Sequence, residues 1–143
     1  MVRTFEVTFD AKDSKRLADF WMAALGYEPM GPPLGYDSWE EWRIAMEVSE
    51  EEMDEGASIS APDGSRRITF LNVPEPKVAK NRLHIDIVVT TDRRLPVLER
   101  KAIVDAEMSR LEKLGATKLY DQLVGEHYHV TMADPEGNEF CLS

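Results

Sequence analysis

The chain has few cysteines, little positive charge and no long apolar run. Its 143 residues include one cysteine, so no disulfide can form within the chain, as is usual in the reducing cytoplasm. No apolar run approaches the roughly 20 residues that cross a bilayer. Lysine and arginine total 17 against 27 acidic residues, and the net charge of -10 disfavours nucleic-acid and anionic-membrane partners. These absences predict a cytoplasmic protein that binds neither nucleic acid nor membrane.

The composition is sufficient for one packed core. Apolar residues make up 43% of the chain, which is normal for globular proteins once glycine is added. The length is close to that of one domain. The sequence therefore predicts a single domain over residues 1–143.

The first segments predict a strand followed by a helix. Phe5–Asp10 alternates apolar and polar residues, which is typical of a half-buried strand. Asp13 is a predicted N-cap for a helix that ends at Leu25, and Gly26 is a predicted left-handed C-cap. Apolar residues at helical spacing, including Phe20 and Trp21, are interpreted as core.

An acidic stretch follows over residues 37–55. It holds nine carboxylates against one arginine, a local charge of -8. Ser38 with Glu41, and Ser49 with Glu52, form the pattern of two capping boxes and predict two short helices. The acids lack the spacing and central glycine of a calcium loop, so they are interpreted as a solvated face.

The order of parts recurs along the chain. Each half has a strand, a helix ending in Leu-Gly, and a hairpin turned by Pro-acid-Gly at 62–64 and 135–137. The predicted later elements are strands at 57–61, 68–73, 84–89, 117–120, 128–132 and 139–142, and a helix that begins at about residue 95 and ends at Leu114. This repeat predicts an α+β fold of two βαβββ modules, at about 1–76 and 81–143, with the acidic helices inserted in the first.

With these motifs the chain resembles the vicinal oxygen chelate superfamily, and within it the glyoxalase-like and bleomycin-resistance branch. The motifs that carry the resemblance are Val7–Asp10, Leu17–Trp21, Ala24–Tyr27, Lys80–Asp86 and Asp134–Cys141. The resemblance implies curved mixed sheets around a cavity that binds a small molecule. It also implies that metal ligands, where present, lie on the concave faces of four strands.

Strand alternation predicts which side chains enter the cavity. The concave set comprises Glu6, Thr8, Asp10, His84, Asp86, Val88, Glu139 and Cys141. The ligand positions implied by the resemblance fall at Glu6, His84 and Cys141, where a thiol replaces the expected acid. This set matches neither an oxygen-rich site nor a site of two histidines and a carboxylate. We predict no cofactor; a divalent metal at these three residues is the open alternative, as is a purely packing role for Cys141.

Two functions follow from this set. In the first, His84 with Asp86 and Glu6 forms an acid–base group for a metal-independent lyase or isomerase. A structural role for His84 is the competing interpretation, and His127 and His129 are interpreted as rim residues. In the second, the protein only sequesters a small molecule, as bleomycin-resistance proteins do.

The sequestering alternative rests on the acidic insertion. Tyr36, Trp39 and Trp42 would cover the cavity, and the local charge would favour a cationic ligand. Thr8, Asp10 and Cys141 would also contact the ligand. The resemblance further implies a homodimer, although two modules in one chain are also compatible with a monomer.

Overall fold

A computed structural model describes residues 3–143. The chain divides into two compact units, the first ending at Pro76 and the second comprising Lys77–Ser143. The first unit contains β1 (Val7–Ala11), α1 (Ser14–Leu25), β2 (Glu28–Pro29), α2 (Trp39–Ala45), α3 (Glu50–Met53), β3 (Gly56–Ser60) and β4 (Arg67–Asn72). The second contains β5 (Asp86–Ile87), α4 (Val97–Lys113), β6 (Thr117–Val124), β7 (His127–Ala133) and β8 (Glu139–Leu142). Within residues 3–143, no helix is both long and apolar enough to cross a membrane.

The two units have the same sheet topology. The first sheet has strand order β1-β4-β3-β2, and the second has β5-β8-β7-β6. In each, the first strand pairs in parallel with the last, and the remaining neighbours are antiparallel. The predicted α+β fold of two βαβββ modules is confirmed.

The core of the first unit lies between α1 and its sheet. Asp13 accepts the backbone N–H of Arg16 as the N-cap, and Gly26 ends the helix at a φ of 68°. This left-handed conformation costs glycine little because it has no Cβ. Trp21 is fully buried, and the Phe9 ring lies 5.6 Å from it and 5.4 Å from the ring of Phe70.

The beginning of the first strand differs from the prediction. The strand begins at Val7 rather than at Phe5, so Glu6 precedes it. The Phe5 side chain is 87% exposed, so the prediction that Phe5 belongs to a half-buried strand was wrong. Phe5 and Glu6 have no partner strand, because the pairing of β1 with β4 begins at Val7 and Ile68. Alternation alone therefore does not make them part of the strand.

The acidic insertion forms the two predicted short helices. Ser49 and Glu52 make a complete capping box before α3. The Ser38 hydroxyl accepts the N–H of Glu41, but the Glu41 carboxylate accepts the N–H of Asp37 at 2.8 Å, so the first box is only half formed. Neither helix buries a side chain, so packing contributes little to their stability.

The core of the second unit lies between α4 and the inner strands of its sheet. Val104 and Leu111 of α4 are buried together with Val130, Met132, Phe140 and Leu142 of β7 and β8. β6 is the outermost strand, and all eight of its residues are exposed. The pairing of β6 with β7 shifts register between Lys118 and Tyr120.

Two boundaries of the second unit differ from the prediction. The regular pairing of β5 with β8 covers only Asp86 and Ile87; His84 therefore precedes the strand. The unit also begins at Lys77 rather than at about residue 81. The Glu139 carboxylate explains this extension, since it pairs with the ammonium of Lys77 at 3.1 Å and accepts the N–H of Asn81 at 2.9 Å.

Candidate functional site

A row of polar side chains crosses the second sheet on the face opposite α4. The register pairs Asp86 with Cys141, Cys141 with Thr131, and Thr131 with Tyr120. Paired residues on neighbouring strands point to the same face. The four strands therefore contribute a carboxylate, a thiol, a hydroxyl and a phenol to one line across the sheet, which we call the polar row.

Thr131 and Cys141, at the centre of the polar row, are in side-chain contact. The Thr131 hydroxyl is buried and lies 3.6 Å from the sulfur of Cys141. Burial raises the pKa of the Cys141 thiol, and the neighbouring Asp86 carboxylate raises it further, while Thr131 and Lys80 act in the opposite direction. The thiol is therefore protonated at neutral pH and acts as a hydrogen-bonding group rather than as a nucleophile.

Glu139 anchors the segment that leads into the polar row. It lies on the same face as Cys141, two residues earlier on β8. Burial alone would raise the pKa of Glu139, but the N–H of Asn81 and the ammonium of Lys77 outweigh it, so the pKa lies below its usual value. These contacts order residues 77–81, which include Lys80.

The predicted acid–base group is divided between the two units. His84 and Asp86 belong to the second unit, where the His84 side chain is exposed and makes no hydrogen bond or ion pair with residues 3–143. Glu6 belongs to the first unit and lies 3.4 Å from the guanidinium of Arg67. Of the predicted site residues, the second unit brings Asp86 and Cys141 together.

The corresponding face of the first sheet carries hydroxyl groups. Thr8 of β1 pairs with Thr69 of β4, which pairs with Ser58 of β3. The hydroxyls of Ser58 and Thr69 are 3.0 Å apart. Thr8 and Asp10 are exposed on this face, as the alternation predicts. This row can donate and accept hydrogen bonds but contains no histidine or cysteine.

The aromatic residues of the insertion are attached to the edge of the same sheet. The indole N–H of Trp39 donates to the carbonyl of Met30 at 2.9 Å, and Met30 itself bonds to Ser58 of β3. The rings of Trp39 and Trp42 meet edge to face with centroids 5.5 Å apart. Both rings and Tyr36 are half-exposed, so part of each aromatic surface is available to a ligand.

The polar row does not fit a metal ion. It offers one carboxylate and one thiol, two candidate ligands, whereas a zinc site uses three or four protein ligands. Among residues 3–143, no three His, Cys, Asp or Glu side chains are grouped as metal ligands. We therefore derive no metal-dependent step.

Three residues of this site, Thr131, Tyr120 and Lys80, were missed by the sequence analysis. Thr131 could have been found, because the turn at Asp134–Gly137 fixes the register of β7 and β8 and so places it opposite Cys141. Nothing in the sequence pattern indicates that Lys80 lies near the thiol, since that position depends on the contacts of Glu139 with the preceding segment.

The topology of the two units is that of the glyoxalase, bleomycin resistance and dioxygenase class. An enzyme of that family from Burkholderia phytofirmans PsJN matches with a TM-score of 0.62 and 16% identity, over 96% of this chain and 94% of the other. The fosfomycin resistance protein FosX of Listeria monocytogenes, complexed with Mn(II) and 1S,2S-dihydroxypropylphosphonic acid, matches with a TM-score of 0.61 and 14% identity, over 99% and 90%. A hypothetical protein of S. aureus matches with a TM-score of 0.59 and 16% identity, over 99% and 96%. At these identities the likeness concerns the fold alone.

The family model described as a glyoxalase-like domain matches residues 6–143. The chain belongs to this family, as the sequence motifs predicted. A comparison with curated proteins finds no match for the chain.

Proposed function

We propose that the protein binds a small hydroxy-carbonyl compound against the polar row and isomerises it without a metal. The observation that carries this proposal is the placement of Asp86 beside Cys141 and Thr131 on one sheet face. An exposed carboxylate can act as a base, while the half-buried thiol beside it supplies a neutral hydrogen-bonding group that contacts the buried Thr131 hydroxyl. These are the groups that a polar, oxygenated ligand requires.

The proposed reaction is a proton transfer. The Asp86 carboxylate removes the proton from the carbon next to the carbonyl group, and the C–H electron pair moves to the carbonyl oxygen to give an enediolate. His84 transfers the hydroxyl proton between the two oxygens, and Asp86 returns its proton to the neighbouring carbon. All protons are returned to the product, so the isomerisation needs no other reactant.

The first unit is proposed to contribute ligand contacts. Thr8 and Asp10 are exposed on its sheet face, beside the hydroxyls of Thr69 and Ser58. Glu6, whose carboxylate lies 3.4 Å from the guanidinium of Arg67, is proposed as a further ligand contact of the first unit. Its contribution is tested separately by Glu6→Gln.

The experiment is deuterium incorporation in D2O, followed by NMR, over a panel of small hydroxy-aldehydes and hydroxy-ketones. We expect the wild type to exchange the proton next to the carbonyl group of at least one compound, and Asp86→Asn to lose this exchange. Glu112→Gln is the matched control, because it removes one negative charge from an exposed position on α4. Exchange that persists at the wild-type rate in Asp86→Asn would contradict the proposed base.

Sequestration of a cationic molecule is the second candidate function. It is favoured by the half-exposed Trp39 and Trp42 rings within a segment of local charge -8, since aromatic faces and carboxylates both attract cations. His84→Ala separates the two functions. Lost turnover with retained binding would support the enzyme, whereas weakened binding without any turnover in the wild type would support sequestration.

A further inference from the structure

A short arch of chain is held to β8 at both of its ends. Glu139 holds Asn81, since its carboxylate accepts the Asn81 N–H at 2.9 Å and its carbonyl accepts the side-chain amide at 3.5 Å. The carbonyl of Ile85 accepts the N–H of Cys141 at 3.0 Å. Glu139 and Cys141 are about 7 Å apart along the strand, whereas the extended chain from Asn81 to Ile85 would span about 13 Å. Residues 82–84 therefore bulge away from the strand, with bends at residues 82 and 83; we call residues 82–84 the arch.

The segment before the arch is packed against the turn between β7 and β8. The aliphatic stem of Lys77 lies beside Gly137, where its Cδ is 3.9 Å from the position that a Cβ would occupy. The Lys77 ammonium lies 3.1 Å from the Glu139 carboxylate. Because both ends of the lysine side chain are engaged, residues 77–81 lead into the arch along a defined path.

This part of the chain is positively charged. Residues 77–86 contain three Lys and Arg against one Asp, a net charge of +2 in a chain of net charge -10. The Lys77 ammonium is paired with Glu139. Lys80 and Arg82 are both exposed, and neither side chain makes an ion pair or a hydrogen bond with residues 3–143. Two cations are therefore available to a ligand.

The positive charge of Lys80 acts on the centre of the polar row. Burial raises the pKa of the Cys141 thiol, and the Lys80 ammonium acts in the opposite direction, so the ammonium lies within electrostatic range of the sulfur. Arg82 follows in the arch, whose two ends are held at Glu139 and Cys141. Both cations therefore lie near the end of the polar row that contains Asp86.

The backbone of the arch adds hydrogen-bond donors. The N–H groups of Arg82, Leu83 and His84 have no acceptor within the part of the chain that the structure describes. Successive free backbone N–H groups are a common element of anion sites, because they supply partial positive charge. The guanidinium of Arg82 adds a planar fork of donors that matches the oxygens of a carboxylate or phosphate. The arch thus offers both kinds of donor that recognise an oxyanion.

We propose that Lys80 and the arch form an oxyanion site, and that the substrate of the polar row is a hydroxy-carbonyl compound that carries a carboxylate or phosphate group. The carbonyl end of the substrate lies at Asp86 and Cys141, and its oxyanion lies at Lys80 and Arg82. The inference rests on the proposed function for the reacting end of the substrate only, because the oxyanion binds whether or not the reaction takes place.

An NMR titration of isotope-labelled protein tests the site directly. The probes are sodium phosphate and sodium acetate, each compared with sodium chloride at the same ionic strength. We expect at least one of the two anions to shift the backbone amide signals of residues 80–86. Arg82→Gln and Lys80→Gln should each raise the dissociation constant of that anion at least about fivefold. Lys113→Gln is the matched control, since it removes the same charge from an exposed position in the last turn of α4, and it should leave the dissociation constant unchanged.

The deuterium-exchange assay identifies the oxyanion of the substrate. Dihydroxyacetone, dihydroxyacetone phosphate and hydroxypyruvate share a hydroxy-ketone group and differ in the charged group beside it. We expect kcat/KM for one of the two charged compounds to exceed that for dihydroxyacetone at least about tenfold. Arg82→Gln should remove this preference by raising KM without lowering kcat, because the oxyanion contact is the same in the ground state and the transition state.

Three results would overturn the proposal. They are amide signals of residues 80–86 that do not move up to about 50 mM of either anion, an anion affinity that survives both Arg82→Gln and Lys80→Gln, and equal kcat/KM for the charged and uncharged compounds. Asp86→Asn separates this proposal from the proposed function, because it should abolish deuterium exchange but retain anion binding. Anion binding by a wild type that exchanges no compound would contradict the isomerisation and still support the oxyanion site.

Discussion

Alkaline pH should weaken the second unit through Tyr128. This tyrosine is only 6% exposed and joins β7 to α4, since its hydroxyl donates to the Asp105 carboxylate at 2.7 Å. Burial raises the pKa of Tyr128 to about 12 from its usual 10.0, and the hydrogen bond to Asp105 adds to the increase. The folded chain therefore holds the phenolic proton more tightly than the unfolded chain does.

The sign and size of the effect follow from this difference in pKa. Below about pH 10 both states are protonated, so the stabilisation is fully present; it is lost as the pH rises through about 12. The pKa of Tyr128 differs by about 2 between the folded and the unfolded chain, which corresponds to about 3 kcal/mol of unfolding free energy. The raised pKa of Lys101, whose ammonium hydrogen-bonds to Asp105 and to the Tyr128 hydroxyl, adds a loss in the same direction.

The measurement is urea unfolding followed by far-UV circular dichroism at several pH values between about 8 and 12, because the three tryptophans all lie in the first unit. The unfolding free energy of wild type minus that of Tyr128→Phe should be roughly constant up to pH 10 and then decrease, because this difference cancels the titration of all other groups. Tyr120→Phe, at an exposed position on β6, is the control. A wild-type minus Tyr128→Phe difference that stays constant from about pH 9 to pH 12 would refute the assigned pKa.

Three further predictions concern the second unit. Asp134→Ala should lower the unfolding free energy by about 3 kcal/mol, as measured by chemical denaturation. The reason is that the buried Asp134 carboxylate accepts the backbone N–H groups of Glu136 and Asn138 and the side-chain amide of Asn138. A loss below about 1 kcal/mol would contradict this prediction. Glu139→Gln should lower the protection factor of the Asn81 amide in hydrogen exchange, after correction for the intrinsic rate at each pH, and acid should do the same in the wild type, since a lowered carboxyl pKa gives a stabilisation that is lost as the pH falls through that pKa. Cys141 should react with iodoacetamide at pH 8 more slowly in the folded than in the urea-unfolded chain, because its raised pKa reduces the thiolate fraction; equal rates would show that the thiol is not perturbed.

The sequence was sufficient to predict those elements whose bounds are set by residues within or next to the element itself. The bounds of α1 follow from the Asp13 cap and the Gly26 terminus, both of which act within one turn. The duplicated strand order could also be predicted, because a Leu-Gly helix end and a Pro-acid-Gly turn recur in both halves of the sequence. In contrast, β2 was missed, since two residues that include Pro29 form a strand only through pairing with Ile59 and Ser60.

The candidate site was predictable only in part. Alternation correctly placed Asp86 and Cys141 on one sheet face, because side-chain direction has a period of two. The predicted strand at His84–Val89 was too long, because only Asp86 and Ile87 pair in register with β8, and alternation within a segment does not encode such pairing. The ion pair of Glu6 with Arg67 and the position of Lys80 near the thiol depend on contacts between segments, which no local pattern encodes.

The register shift in β6 has a consequence for solubility. An outermost strand of eight exposed residues that includes Leu119, Leu123 and Val124 has the composition of an aggregation-prone segment. The bulge at Leu119 interrupts the regular spacing of backbone donors and acceptors that another strand would need in order to add to the edge. Changes that straighten this strand, such as deletion of Leu119, would therefore be expected to produce fibrils or inclusion bodies before they affect ligand binding.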